Sequence, residues 1–212
     1  MQGRRMKAAA VSGLLLVAAC LPAWAAPQSL FDGRSFAGWD GDTNKIWSIQ
    51  GGVIQGGSLT VEVPRNEFLA TTRSFTNFVL RAKFKIEGTQ GFVNSGIQVR
   101  SQRVPNDSEM IGYQADIGDG WWGALYDESR RNKVLAKPSD AEMGKPVKKG
   151  DWNDYEIRCE GQRLILKING GTTVDYTEPD PAIPQFGRIG LQVHGGGKTL
   201  VSFKDITVEE LP

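Results

Sequence analysis

The sequence has one histidine and two cysteines in 212 residues. A single histidine excludes a three-histidine zinc site. Two cysteines exclude a disulfide scaffold and a cysteine-based zinc cluster. An excess of one charge is also missing. The 25 basic groups face 24 acidic ones, a net charge of +1, which excludes a strongly electrostatic nucleic-acid binder. Long hydrophobic runs are scarce. The apolar stretch 8–20 is too short to cross a bilayer comfortably, so no membrane span is expected. Glycine is plentiful at 26 residues, favouring many turns and hence an all-β chain. With 40% hydrophobic and 23% charged residues, the chain is neither a disordered tail nor a polytopic membrane protein. Its length suits one domain.

Arg4, Arg5 and Lys7 precede the apolar stretch, and Ala23-x-Ala25 follows it as a small-residue cleavage pattern. This arrangement predicts a secretory signal peptide over residues 1–25, a domain over 26–212, and a secreted or periplasmic product. Val17-Ala18-Ala19-Cys20 offers an alternative, a lipid anchor through Cys20. Removing three basic groups with the signal leaves 22 against the 24 acidic ones, net −2. Cys159 then stands alone and reads as a small buried hydrophobe.

Period-two alternation dominates the remainder. Phe78, Leu80, Ala82, Phe84 and Ile86 alternate with Val79, Arg81, Lys83, Lys85 and Glu87, a half-buried strand. Tyr155, Ile157 and Cys159 share a face that Leu164, Leu166 and Ile168 continue, with Gly161-Gln162 as the turn. Gly51-Gly52 joins a second hairpin. A phase change near Lys204-Asp205 predicts a bulge. Ser139 to Met143 can make one short turn. About ten to thirteen strands follow from the pattern, forming a two-sheet antiparallel β-sandwich of jelly-roll type.

Three strands each place two large hydrogen-bonding side chains on one face. These are Gln98 with Arg100, Gln114 with Asp116, and Gln192 with His194. Plain solvated faces are richer in Lys, Glu and Thr; this set suits a groove that reads a polyhydroxylated ligand. His194 precedes Gly195-Gly196-Gly197, a plausible place for a base that titrates near neutrality. Gly118-Asp119-Gly120-Trp121-Trp122-Gly123 presents two indoles, of which one can stack on a sugar and one can fold onto the core. Tyr126, Glu128 and Arg131 follow, either as a self-paired surface loop or as an acid and an anion or carbonyl binder beside the groove.

Leu30-Phe31-Asp32-Gly33, then Gly38-Trp39, resemble the opening of the 3-keto-disaccharide hydrolase domain family, which has the concanavalin A-like lectin/glucanase fold. Asn94-Ser95-Gly96-Ile97, Gly112-Tyr113-Gln114-Ala115-Asp116-Ile117, Gly123-Ala124-Leu125-Tyr126-Asp127-Glu128 and Gly190-Leu191-Gln192-Val193-His194 are similar to its internal motifs. Trp152-Asn153 and Ile168-Asn169-Gly170 also fit. The resemblance spans roughly residues 29–210 and implies an all-β, concanavalin A-like jelly roll. Glucanases of that fold carry Glu, Asp and Glu on one strand. The equivalents here are Gln114, Asp116 and Asp119, and a glutamine cannot be the carboxylate nucleophile of retaining hydrolysis.

The family implies a carbohydrate substrate already oxidised at C3. The ketone acidifies the C2 proton, so a base, an oxyanion partner and a proton donor suffice for elimination, with water added later. His194 or Asp116 is then the base, and Arg100 binds the keto or enolate oxygen. Gln98, Gln114 and Gln192 hold hydroxyls, and Glu128 or Tyr126 protonates the leaving oxygen. Trp121, Trp122 and Arg131 complete the expected substrate contacts. A divalent cation held by Asp116 and His194 is an alternative electrophile. A non-catalytic carbohydrate-binding module is the competing expectation.

Overall fold

A computed structural model describes residues 26–212. The expected signal peptide and Cys20 lie outside the described residues. In chain order the strands are β1 (Gln28–Ser29), β2 (Trp39–Asp40), β3 (Trp47–Gln50), β4 (Val53–Gly57) and β5 (Glu67–Phe75). Next come β6 (Phe78–Gly91), β7 (Asn94–Arg103), β8 (Met110–Gly118), β9 (Leu125–Glu128) and β10 (Lys133–Ala136). The last are β11 (Asn153–Glu160), β12 (Arg163–Ile168), β13 (Gly171–Thr177), β14 (Gly187–Val193) and β15 (Gly197–Glu210). The alternation count falls short because β1 and β2 are two-residue pieces, too short to show a period.

The strands form two antiparallel sheets. One runs β13-β12-β11-β6-β15-β4-β3, with β1 also on β15; the other runs β10-β9-β8-β7-β14-β5-β2. Both expected hairpins are present, with Gln50 opposite Val53 and Glu160 opposite Arg163. The expected bulge in β15 is present too, as a register shift between Lys204 and Thr207 with Asp205 at φ 52°. Residues 139–143 make a turn closed by Met143 N–H donating to Ser139 O at 2.9 Å.

The inner faces pack a continuous core. Phe78, Leu80, Phe84, Tyr155, Ile157 and Phe203 come from the first sheet, and Ile97, Val99, Tyr113, Ile117 and Leu191 from the second. Cys159 is fully buried among them, and burial pushes its thiol up to about 12. The outer face of the first sheet is an ordinary wet face laced with ion pairs, such as Arg81 to Glu156 at 2.9 Å and Lys83 to Asp154 at 2.5 Å. The outer face of the second sheet differs. Gln98, Gln192, Gln114 and Asp116 are all buried there, and Phe68, Ala70 and Met110 form a small separate apolar cluster. Burying so many amides and a carboxyl costs free energy unless they find partners, so this face marks the site.

Candidate functional site

Four central strands of the second sheet build the floor of a cavity. Register places Gly96 of β7 between Gln192 of β14 and Asp116 of β8. The next row sets Gln98 opposite Gln114, and Gln114 opposite Tyr126 of β9. At the mouth, His194 N–H donates to Asn94 O at 3.2 Å, tying the end of β14 to the start of β7. The resulting cavity of about 240 Å³ is lined by Asn94, Gln114, Asp116, Glu128 and His194, with Phe92, Trp121 and Tyr126 as aromatic walls. That volume lies just below the range of about 300–1,000 Å³ usual for small-molecule pockets.

The aromatic groups are mutually braced. Trp121 meets Tyr126 edge-on, with ring centres 6.0 Å apart, and Phe92 meets the His194 ring edge-on at 4.6 Å. Such pairs fix ring orientation as well as covering area. Nδ1 of His194 lies 2.7 Å from Gly195 O. A carbonyl only accepts, so in the neutral ring Nδ1 carries the hydrogen and Nε2 keeps its lone pair.

The two carboxyl groups are both shifted upward. Burial raises Asp116 well above the usual carboxylate range; the Gln114 hydrogen bond opposes this and the nearby Glu128 charge adds to it. Burial likewise pushes Glu128 up to about 7, with Glu109 and Asp127 contributing like charge. Burial thus favours the protonated form of Asp116, and Glu128 sits near its midpoint at neutral pH. Oδ1 of Asp116 accepts from Gln114 Nε2 at 2.8 Å, while Oδ2 is buried with no partner among the described residues.

The structure brings His194, Asp116, Glu128, Gln114, Trp121 and Tyr126 to one cavity. Gln98 lies one hydrogen bond behind Gln114, at 3.1 Å. Gln192 is buried beside Gly96 and does not line the cavity.

Three further expectations change. Arg100 does not share the Gln98 face. A bulge after Val99, with Arg100 at φ 50°, turns its side chain out of the cavity. There it donates to Thr76 O at 2.7 Å, Gly161 O at 2.6 Å, Gln185 Oε1 at 2.5 Å and Asn77 Oδ1 at 3.2 Å. Arg131 is held by Asp127 and by Glu178, at 2.7 Å for the latter, and braces the loop after β13. Trp122 folds onto the core, stacked on Phe84 at 6.5 Å, with Nε1 donating to Asp119 Oδ1 at 2.9 Å.

Two lining residues were not singled out from the sequence. Asn94 opened a quoted motif, but its side chain gave no separate signal. Phe92 sits with Val93 in the two-residue connection from β6 to β7, where a large aromatic ring is a sign of ligand contact or packing; it is 41% exposed. No group of three or more His, Cys, Asp or Glu side chains able to hold a metal ion occurs among the described residues.

The cavity of amides, carboxyls and aromatic rings, taken with the family whose model matches the chain, marks a carbohydrate-active protein. The chain belongs to the family of the 3-keto-alpha-glucoside-1,2-lyase-like domain, whose sequence model matches residues 26–209. No curated protein matches the chain significantly. Solved structures share its fold. One is a candidate glycosyl hydrolase from Parabacteroides distasonis, 22% identical over 88% of this chain and 94% of that one, TM-score 0.65. Another candidate glycosyl hydrolase from that organism is 24% identical over 88% and 100%, TM-score 0.64. The carbohydrate binding module CBM66 from Bacillus subtilis is 19% identical over 82% and 96%, TM-score 0.62.

Proposed function

We propose that this protein cleaves 3-keto-glycosides by elimination, in the periplasm or outside the cell. The observation that carries the reading is the protonation pattern of one cavity. An imidazole with a free Nε2 lines the same cavity as two carboxyl groups whose protonated forms are favoured by burial, Glu128 being pushed up to about 7. A base and two proton donors are what elimination next to a ketone requires.

His194 Nε2 takes the C2 proton. The C2–H electron pair moves into a C2–C3 double bond, and the ketone oxygen becomes an enolate. Asp116, through the hydrogen on Oδ2, and Asn94, through its amide, supply hydrogen bonds to that oxygen, the role first expected of Arg100. The enolate pair then returns to form the C1–C2 double bond and expels the C1 oxygen. Glu128 gives that oxygen its proton, so the aglycone leaves as an alcohol. Water adding across C1–C2 completes a net hydrolysis. Trp121 supplies a flat face for the C–H side of the ring, and Tyr126 braces it.

Incubating residues 26–212 with a 3-keto-glucoside in D2O, followed by NMR, tests the reading. The expected result is release of the aglycone alcohol, with deuterium entering C2. A persistent keto-glycoside overturns it. The fold shared with CBM66 favours a second reading, a binding module. That reading predicts saturable binding of an unoxidised glycan and no turnover.

A further inference from the structure

Behind the cavity runs a buried line of side-chain hydrogen bonds. Ser101 Oγ–H donates to Gln98 Oε1 at 2.5 Å. Gln98 Nε2 donates to Gln114 Oε1 at 3.1 Å, and Gln114 Nε2 donates to Asp116 Oδ1 at 2.8 Å. Every member is buried, and the line crosses from β7 to β8 at the register pair Gln98 and Gln114. Ser101 also lies against two carbonyl acceptors, Val99 O at 3.0 Å and Tyr113 O at 3.4 Å. The Gln114 side chain lies over Gly96, where an added Cβ would meet its Cγ at 2.6 Å, so the missing Cβ is what lets the amide pass.

Each amide in the line has one accepting and one donating end, so the direction of every bond fixes the next. A carboxylic acid has an accepting carbonyl oxygen and a donating hydroxyl. With an N–H delivered to Oδ1, the acid hydrogen belongs on Oδ2, the oxygen with no partner among the described residues. We propose that Gln98 and Gln114 are positioning residues of a one-way relay, which begins at Ser101 and reserves Asp116 Oδ2 as the hydrogen donor to the sugar. The assignment rests on the elimination reading for the identity of the acceptor, the ketone oxygen at C3. The relay itself rests on geometry alone.

Two charged neighbours face the Asp116 carboxyl or lie beyond it. Glu128 of β9 lines the same cavity, and Glu109 adds like charge to Glu128 in turn. His194 lies at the cavity mouth, one residue past the end of β14. None of these is altered by changes at Gln98 or Ser101, which lie further along the relay.

The test combines the 13C NMR titration of the Asp116 carboxyl with the pH profile of C2 deuterium exchange. It compares wild type, Gln98→Met and Ser101→Ala. Methionine keeps the length of glutamine but neither donates nor accepts strongly, so Gln114 is free to turn its carbonyl toward Asp116. The midpoint of Asp116 is expected to rise by at least about half a unit in both variants, which is roughly threefold in its ionisation constant. Exchange is expected to slow about three- to tenfold, with KM for the keto-glycoside unchanged. A merely structural role predicts lost stability with an unmoved midpoint, and that result overturns the proposal. A midpoint that falls overturns it too, because the relay then runs the other way. Ser101→Ala is the milder change and carries the test if Gln98→Met does not fold. Absence of turnover in wild type sinks the elimination reading, while the carboxyl titration still decides the relay.

Discussion

Glu128 shows how one side chain links burial, ionisation and rate. It is protonated below about 7, so a step that needs its proton is lost as pH rises through that value. The expected profile of kcat/KM therefore falls on its alkaline side near pH 7. Glu128→Gln is expected to lower the rate about ten- to a hundredfold at pH 6 and to abolish that limb. The same shift has a stability consequence that runs in the same direction with pH. The folded protein holds this proton more tightly than the unfolded chain, so stability falls as pH rises from about 4.5 through 7. Glu128→Gln is thus expected to raise Tm at pH 8 and to leave it nearly unchanged at pH 4, measured by calorimetry. His194→Ala removes the base and is expected to lose well over tenfold in kcat without loss of fold. Arg100 is the contrast. Its guanidinium satisfies two backbone carbonyls and two side-chain amides. Arg100→Met is expected to cost about 2–4 kcal/mol by denaturant unfolding, with activity per folded molecule retained.

At the scale of strands, the alternation of β6, β11 and β12 was legible because each buries one face and wets the other. The turns at Gly51-Gly52 and Gly161-Gln162 were legible from their glycines. The same rule failed at Arg100 for a physical reason. One extra residue in a bulge reverses which side chains face out, and no local composition announces the bulge in β7 as the phase change near Asp205 does in β15. Gln98, Gln114 and Asp116 read as a site because large hydrogen-bonding groups replaced the usual surface residues. Phe92, Asn94 and the fate of Trp122 depend on how separate strands converge, which no single segment encodes. Close strand approach also makes a prediction. Gly57 has φ 82°, and an added Cβ would lie 2.2 Å from Thr199 O of β15. Gly57→Ala is expected to destabilise by more than about 1 kcal/mol and to loosen the β4–β15 pairing, visible in amide exchange.

Across the whole molecule, the two sheets divide the labour. The first carries an ion-paired wet face and supplies half of the core; the second spends its outer face on a buried polar cavity. Cys159 lies in the core between them, and its raised, inaccessible thiol is a reporter of global opening. Alkylation is expected only when the domain unfolds, at a rate that tracks denaturant. The central claim is that the cavity breaks a glycosidic bond through C2 proton removal. Its most direct measurement is NMR in D2O of matched samples of a 3-keto-glucoside and its unoxidised parent with the 26–212 domain. Aglycone release and deuterium at C2 are expected from the keto-sugar alone, both suppressed in His194→Ala. Cleavage of the unoxidised parent, or release from the keto-sugar without C2 exchange in either substrate or product, would contradict it.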